Sequence, residues 1–369
     1  MSTIPVNVRT SSRRIAALVV PLCFHVWPIL LVISQKALVI PALLASNQRS
    51  SVFRRSFLLS LLLIITGSLV LLAQHQNEYA LDHFLGFGLF TLALPAINAA
   101  IKEDRTRTLT VIAWLSLLNS ALAYVFYFLE TDLSTFRGLN RVVDFEGTTA
   151  RVFFETTSLI AAFTLQGFRS TAMKIIAALV VFTYALLLAK SIFVILLIVI
   201  NYAAPPVLAQ PFRKKLLYLG GSAIAMLTVF VFLFALRADF ALSVGVKLIQ
   251  WQEITNDISW NWIGAGWGDV IDGIANNDDQ PYQVEMQLPM LVHQAGIPFT
   301  VLFAITMFFQ LRTLKPGIIA WARTLTYLII GFSNPWLFIP SWYLTAALMF
   351  EPIARKKNDL ACPDLQPQR

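Results

Sequence analysis

Charge is what this sequence has least of. Asp, Glu, Lys and Arg make up 13% of its 369 residues, where a soluble domain carries about 25%. That excludes an ordinary soluble enzyme. With 57% hydrophobic residues and 28 Phe, it also excludes a disordered chain. Cysteine is nearly missing. Cys23 lies in the first apolar run and Cys362 in the C-terminal tail, which gives neither a disulfide framework nor a metal spacing. No His/Cys cluster suits zinc, so no metal and no other cofactor is expected. No Walker loop is present, which excludes an ATP-driven pump acting by itself. There is no repeat of fixed period. The first apolar run lacks a small-residue cleavage site, so no cleavable signal is expected. The net charge of +8 could suggest nucleic acid, but the basic residues gather on no one domain. They fall in short clusters between apolar runs, which is how a polytopic membrane protein orients itself.

What is present is a series of apolar runs. A membrane helix needs about 20 mainly apolar residues. Single runs cover 56–73, 83–101, 109–129, 152–168, 216–236 and 286–311. Three others are too long for one span. They are 15–46, interrupted at Gln35 and Lys36, 175–208, broken at Lys190 and Ser191, and 318–350, broken at Ser333, Asn334 and Pro335. The sequence therefore predicts an all-α polytopic integral membrane protein of about twelve transmembrane helices, one membrane domain over residues 1–369. Consecutive basic clusters are separated by two spans, so all fall on one face. That face holds 21 of 28 basic residues, while 15 of 20 acidic residues lie on or near the other. The positive-inside rule makes the basic face cytoplasmic, together with both termini.

Cytoplasmic connections are short, whereas two outward loops are longer: 130–151, and 237–284 with Trp251, Trp260, Trp262 and Trp267. The second loop is too aromatic for disorder and could contain an amphipathic helix around 243–257. Its tryptophans suit the membrane interface or stacking on sugar rings, and a lipid-linked sugar would use both. Ionisable residues inside spans are functional candidates by default. Lys36 and Lys190 interrupt apolar runs, although either could snorkel to an interface. Glu155 follows Arg151 by four residues, a spacing for an intrahelical ion pair. His293 lies eight residues into the span opening at Glu285, where hydrogen-bonded packing competes with a substrate role. Asp278 and Asp279 sit in an Asn/Asp-rich segment that resembles a solvated turn.

Three stretches resemble the O-antigen polymerase and ligase family. The first is Ala-Leu-Leu-Leu-Ala-Lys-Ser-Ile-Phe-Val-Ile-Leu (185–196), an apolar run interrupted near the family's Arg position, with Lys190 there. The second is Val-Lys-Leu-Ile-Gln-Trp (246–251) followed by Gly-Ala-Gly-Trp-Gly (264–268), where Lys247 occupies an Arg position. The third is 284–298, with Glu285 eleven residues before Gly296. Arg137-Gly138 and Arg141, followed by Gly147, resemble the family's Arg/Gly-rich loop. Two family arginines are thus lysines here, point charges without the bidentate fork.

The resemblance implies a multi-pass enzyme of the bacterial inner membrane. Its substrate would be an undecaprenyl-diphosphate-linked glycan, and its chemistry a metal-independent, inverting glycosyl transfer at the periplasmic face. Fixed cations would stabilise the leaving diphosphate: Lys190, Lys247, Arg137, Arg141 and Arg237. Glu285 would take the acceptor hydroxyl's proton. Trp251, Trp267 and His293 would contact substrate. A chain-length regulator is a compatible partner, and nucleic acid is not. Ligase relatives favour His where this chain has Glu285, which points to a polymerase. A ligase acting on a lipid A core and a lipid-linked sugar transporter are the alternatives. A transporter would carry polar residues through mid-membrane and paired broken helices.

Overall fold

The computed structural model describes residues 51–74, 77–129, 139–143, 149–154, 161–236, 240–260, 262–271, 286–313, 317–333, 338 and 342–350, with isolated positions before residue 51. Within these the chain is mainly helical. Six helices are long and apolar enough to cross a membrane by length and composition, so this is a helical membrane protein. The longer helices are α1 (Ser51–Ala73), α2 (Ala80–Glu103), α3 (Arg105–Phe128), α4 (Thr171–Thr183), then α7 (Phe212–Leu236), α8 (Phe240–Trp260), α9 (Gln287–Thr313) and α10 (Ile318–Ser333). Short pieces α5 (Ile192–Ile198), α6 (Ala204–Leu208) and α11 (Trp342–Phe350) complete the set.

The spans at the centre are the ones with small residues. Helix α2 carries Ala93, Ala96 and Ala100, all buried, which lets α1 and α11 pack closely on it. Around it lies an aromatic core. Phe87 meets Phe299, Phe303 and Phe338, and Phe90 meets Phe338 and Tyr343. Helix α7 is the opposite case. Its large side chains are mostly exposed, which suits a helix that meets lipid on most sides.

Proline inside α2 illustrates how membrane backbone is kept satisfied. Pro95 has no N–H to reach the carbonyl of Thr91, four residues back. The buried hydroxyl of Ser60 on α1 donates to that carbonyl at 2.5 Å. Gln310 on α9 donates in turn to Ser60 Oγ and to the Ser56 carbonyl, at 3.2 and 3.3 Å. Three helices are thus joined through a backbone defect that lipid alone could not hydrate.

Two expectations need correction. Among the described residues, 152–154 and 161–168 do not form the membrane span expected over 152–168. Thr149–Phe154 is a strand, β2, paired antiparallel with β1 (Leu139–Val143), and Thr164–Gly167 is a 3-10 turn. Val152 of β2 is buried against Tyr184, Leu188 and Ala189, so a β-branched stretch is held as a strand by tertiary packing. For the same reason Arg151 lies on a strand, where a helical i,i+4 pair with Glu155 has no footing; Glu155 itself lies outside the described residues. Gly167 explains the tight turn that follows. A Cβ there would stand 2.2 Å from the Leu109 carbonyl oxygen of α3.

The expected break at Lys190 coincides with a helix end, and α10 ends at Ser333, while Asn334 and Pro335 lie outside the described residues. A helix over 243–257 forms within α8.

Candidate functional site: a broken helix and its glycine loop

Helix α9 is interrupted inside its span. Gly296 has φ 84° and ψ 163°, a region only glycine enters readily. Pro298 follows and removes another donor. Together they free the carbonyls of His293 and Gln294 and the N–H of Ile297. The segment 262–269 meets all three. Ala265 N donates to His293 O at 2.8 Å, Gly266 N to Gln294 O at 2.9 Å, and Ile297 N donates to Trp262 O at 2.9 Å. Irregular backbone at membrane depth is tolerated when protein satisfies it, and here one loop does so.

Glycine is required on both sides of this joint. A Cβ on Gly264 would stand 2.6 Å from Gly296 N, and one on Gly296 would stand 2.0 Å from Ile263 O. Further anchors fix the loop's other end. Gln74 Nε2 donates to the carbonyls of Ile263 and Gly264 at 3.0 and 2.9 Å. Asn77 Nδ2 donates to Trp267 O at 3.2 Å, and Gln294 Nε2 to Asp269 O at 2.9 Å.

The joint brings an acid–base cluster together. His293 is 1% exposed and has a carboxylate on each ring nitrogen: Asp257 Oδ2 lies 2.5 Å from Nδ1 and Asp269 Oδ2 lies 2.9 Å from Nε2. Asp257 comes from α8 and Asp269 from the glycine loop. The imidazolium is the form in which both ring N–H groups donate. Both carboxyl groups are partly open, at 40% and 35% exposed, so the cluster is buried at its histidine and accessible at its acids. The carboxylates sit on opposite edges of the ring and do not converge on one point. Among the described residues no group of three or more His, Cys, Asp or Glu is placed to hold a metal ion.

Lys247 shares a helix face with this cluster. Lys247, Gln250, Ile254 and Asp257 recur at intervals of three and four, the spacing of one helical stripe. Gln250 and Ile254 on that stripe are buried, and α8 packs on α9. The axial distance from Lys247 to Asp257 is about 15 Å at 1.5 Å per residue. Trp251 is exposed at 44%, with Phe332 as its ring neighbour at 6.4 Å among the described residues.

Trp267 behaves otherwise than expected. It is 1% exposed, donates from Nε1 to Gly67 O at 3.0 Å, and packs against Phe84, Phe87 and Phe299. Its ring is committed to the core and offers no open face to a sugar. Its role is to pin the glycine loop to α1 and α2.

Lys190 lies in a second break. The chain passes from α4 into a π-helical turn, Tyr184–Leu188, and Lys190 then has φ 46°. A left-handed lysine is uncommon, and π-turns are frequent at functional sites. Ala189 N donates to Tyr184 O and Ser191 N to Ala185 O, which closes the turn. Val152 of the hairpin packs beside it, and Arg141 pairs with Val152 across the strands. The structure thus groups Lys190 with the hairpin that carries Arg141, and Lys247 with His293. Glu285, Arg137 and Arg237 lie outside the described residues, as do Asp278, Asp279 and Lys36.

Three residues escaped sequence reasoning. Asp257 and Asp269 are ordinary loop acids until the fold aims both at one histidine; the only sequence signal was the Lys247–Asp257 stripe. Arg323 is 2% exposed inside the bundle, which its place in the sequence does not reveal. Its Nε donates to Asn201 Oδ1 at 2.6 Å, one terminal nitrogen donates to Leu348 O at 3.3 Å, and the guanidinium sits 5.1 Å from the Phe163 ring centroid.

The chain matches no protein-family model, and no curated protein matches it.

Proposed function

We propose that this protein is a glycosyltransferase of the bacterial inner membrane that polymerises undecaprenyl-diphosphate-linked oligosaccharides at the periplasmic face. The observation that carries the reading is the joint between the glycine loop and the broken helix. It unites the second and third stretches of family resemblance, which lie apart in sequence, and it gathers a histidine, two carboxylates and the Lys247 stripe around them.

In this reaction the acceptor hydroxyl attacks the anomeric carbon. The bond from that carbon to the diphosphate oxygen breaks, and the electron pair leaves with the diphosphate. Lys247, and Lys190 beside the Arg141 hairpin, are the cations available to neutralise that charge. Arg137 and Arg237 belong to the same outward loops. Trp251 offers an open ring for a sugar. Glu285, two residues before α9 in the sequence, is a carboxylate able to receive the hydroxyl proton.

A second reading, transport of a lipid-linked sugar, is favoured by one feature. Helices are broken at Lys190 and at Gly296, and Arg323 is buried within the bundle, the kind of interruption that transporters place at their binding sites. Deleting the gene in its host and analysing surface glycan together with the lipid-linked pool separates these readings. Loss of long polymer, with single repeat units on the lipid or core, supports polymerase. Intact polymer left on the carrier lipid supports ligase. Repeat units trapped on the cytoplasmic leaflet support transport and refute glycosyl transfer.

A further inference from the structure

We infer that His293, Asp257 and Asp269 form a binding site for one proton beyond the one a neutral imidazole carries, and that this proton ties α8 and the glycine loop together on the broken helix. A count of hydrogens requires it, independently of the reaction proposed above. The ring lies 2.5 Å from Asp257 and 2.9 Å from Asp269. Each contact is at hydrogen-bond distance and needs one hydrogen between its heavy atoms. An ionised carboxylate brings none, and a neutral imidazole brings one. Two contacts therefore take up one more proton, whether it rests on the ring or on a carboxyl oxygen. With it, two carboxylates and an imidazolium carry one net negative charge. Without it they carry two, and an acceptor faces an acceptor beside a ring that is 1% exposed, where water is poorly placed to satisfy either.

The three groups come from three elements: Asp257 from α8, Asp269 from the glycine loop and His293 from the first half of α9. With the proton bound, one ring holds both neighbours. Without it the ring donates to one acid only, and either α8 or the loop draws back. The backbone bonds of the joint remain, so the element loosens rather than leaves. Both acids are partly exposed, at 40% and 35%, which gives the buried ring a route for proton exchange with solution. Among the described residues the charged groups acting on His293 are these two acids. Helix α9 carries no charged residue before Arg312. On α8, Glu253 is exposed and Lys247 lies about 15 Å along the axis from Asp257. Arg54 and Arg55 of α1 lie at the opposite end of α9, where Ser56 meets Gln310. Arg323 of α10 engages Asn201 and Leu348. On α2, Asp82 is exposed and His83 rests against Trp267.

The test is amide hydrogen exchange of the detergent-purified full chain from about pH 6 to about pH 10, corrected for the intrinsic pH dependence of exchange. Peptides from α8 and from 262–269 are followed. Stability that depends on a bound proton is lost as the pH rises and the proton leaves. In the wild type, protection of one of these segments should therefore fall about tenfold or more across the range. His293→Gln has no titrating ring, and its protection should stay level. Asp257→Asn donates from its own amide to the neutral ring, so no extra proton is needed and the fall should shrink; Asp269→Asn should do the same. A merely structural contact would instead weaken protection in these variants equally at every pH. His83→Gln, which alters the other histidine near the loop, should keep the wild-type response. Wild-type protection that ignores pH overturns the proposal, as does a full response in His293→Gln. If His293→Gln fails to fold, the two amide variants decide: an undiminished response in both overturns the proton site, and a diminished one in either supports it.

Discussion

Replacing Gly296 with alanine tests the joint on which the site depends. The new methyl group would stand 2.0 Å from the Ile263 carbonyl oxygen and 2.4 Å from its carbon. Both are backbone atoms and have no rotamer by which to escape. If the loop stays docked, alanine must hold a glycine-only conformation, which costs about 1–3 kcal/mol before the overlap is counted. If the loop leaves, three backbone hydrogen bonds go with it, at about 1 kcal/mol each. The freed groups are then exposed to a region poor in water, which adds to the loss. Either route destabilises by about 3 kcal/mol or more. Undocking also carries Asp269 away from His293, so activity should fall further than stability. The assay is thermal unfolding of the detergent-purified protein, with Gly245→Ala as control, because a Cβ there meets nothing within 4 Å. The control should melt with the wild type, and Gly296→Ala should melt at least about 5 °C lower. Equal melting of all three would refute the interlocked joint.

Other expectations follow from the same structure. Trp267→Ala should cost about 3–5 kcal/mol, the range for a large buried aromatic, whereas Trp251→Ala should change stability by less than about 0.5 kcal/mol and lower polymer yield; the reverse order in a melting series would contradict their placements. Asn201→Leu removes the acceptor for Arg323 Nε and should cost about 1–3 kcal/mol or more. A variant that melts with the wild type would show that this contact does not hold the bundle. A single cysteine at Lys215 should react with an impermeant maleimide only after the membrane is opened, and labelling of intact cells would reverse the orientation read from charge.

The membrane character was legible because it depends on composition and run length, which survive any arrangement of the chain. So was the break at Lys190, where a polar residue interrupts a run too long for one span. The hairpin was not legible. Residues 152–154 are apolar enough to pass for the start of a span, and the packing of Val152 against Tyr184, Leu188 and Ala189 holds them extended. The burial of Arg323 was not legible either, since nearness to a basic cluster in sequence says nothing of whether a side chain turns inward.

The two glycine segments show where the boundary falls. By itself the sequence determined that Gly264, Gly266, Gly268 and Gly296 are sites of unusual backbone freedom, because no other residue type offers it. It could not determine that the loop and the helix break complete each other. Hydrogen bonds between residues some thirty positions apart carry no local periodicity, and their partners are peptide groups identical at every position. The same holds for Asp257, Asp269 and His293. Their chemistry was written in the chain, but only the docking of the loop into the broken helix decided that two acids would share one buried ring.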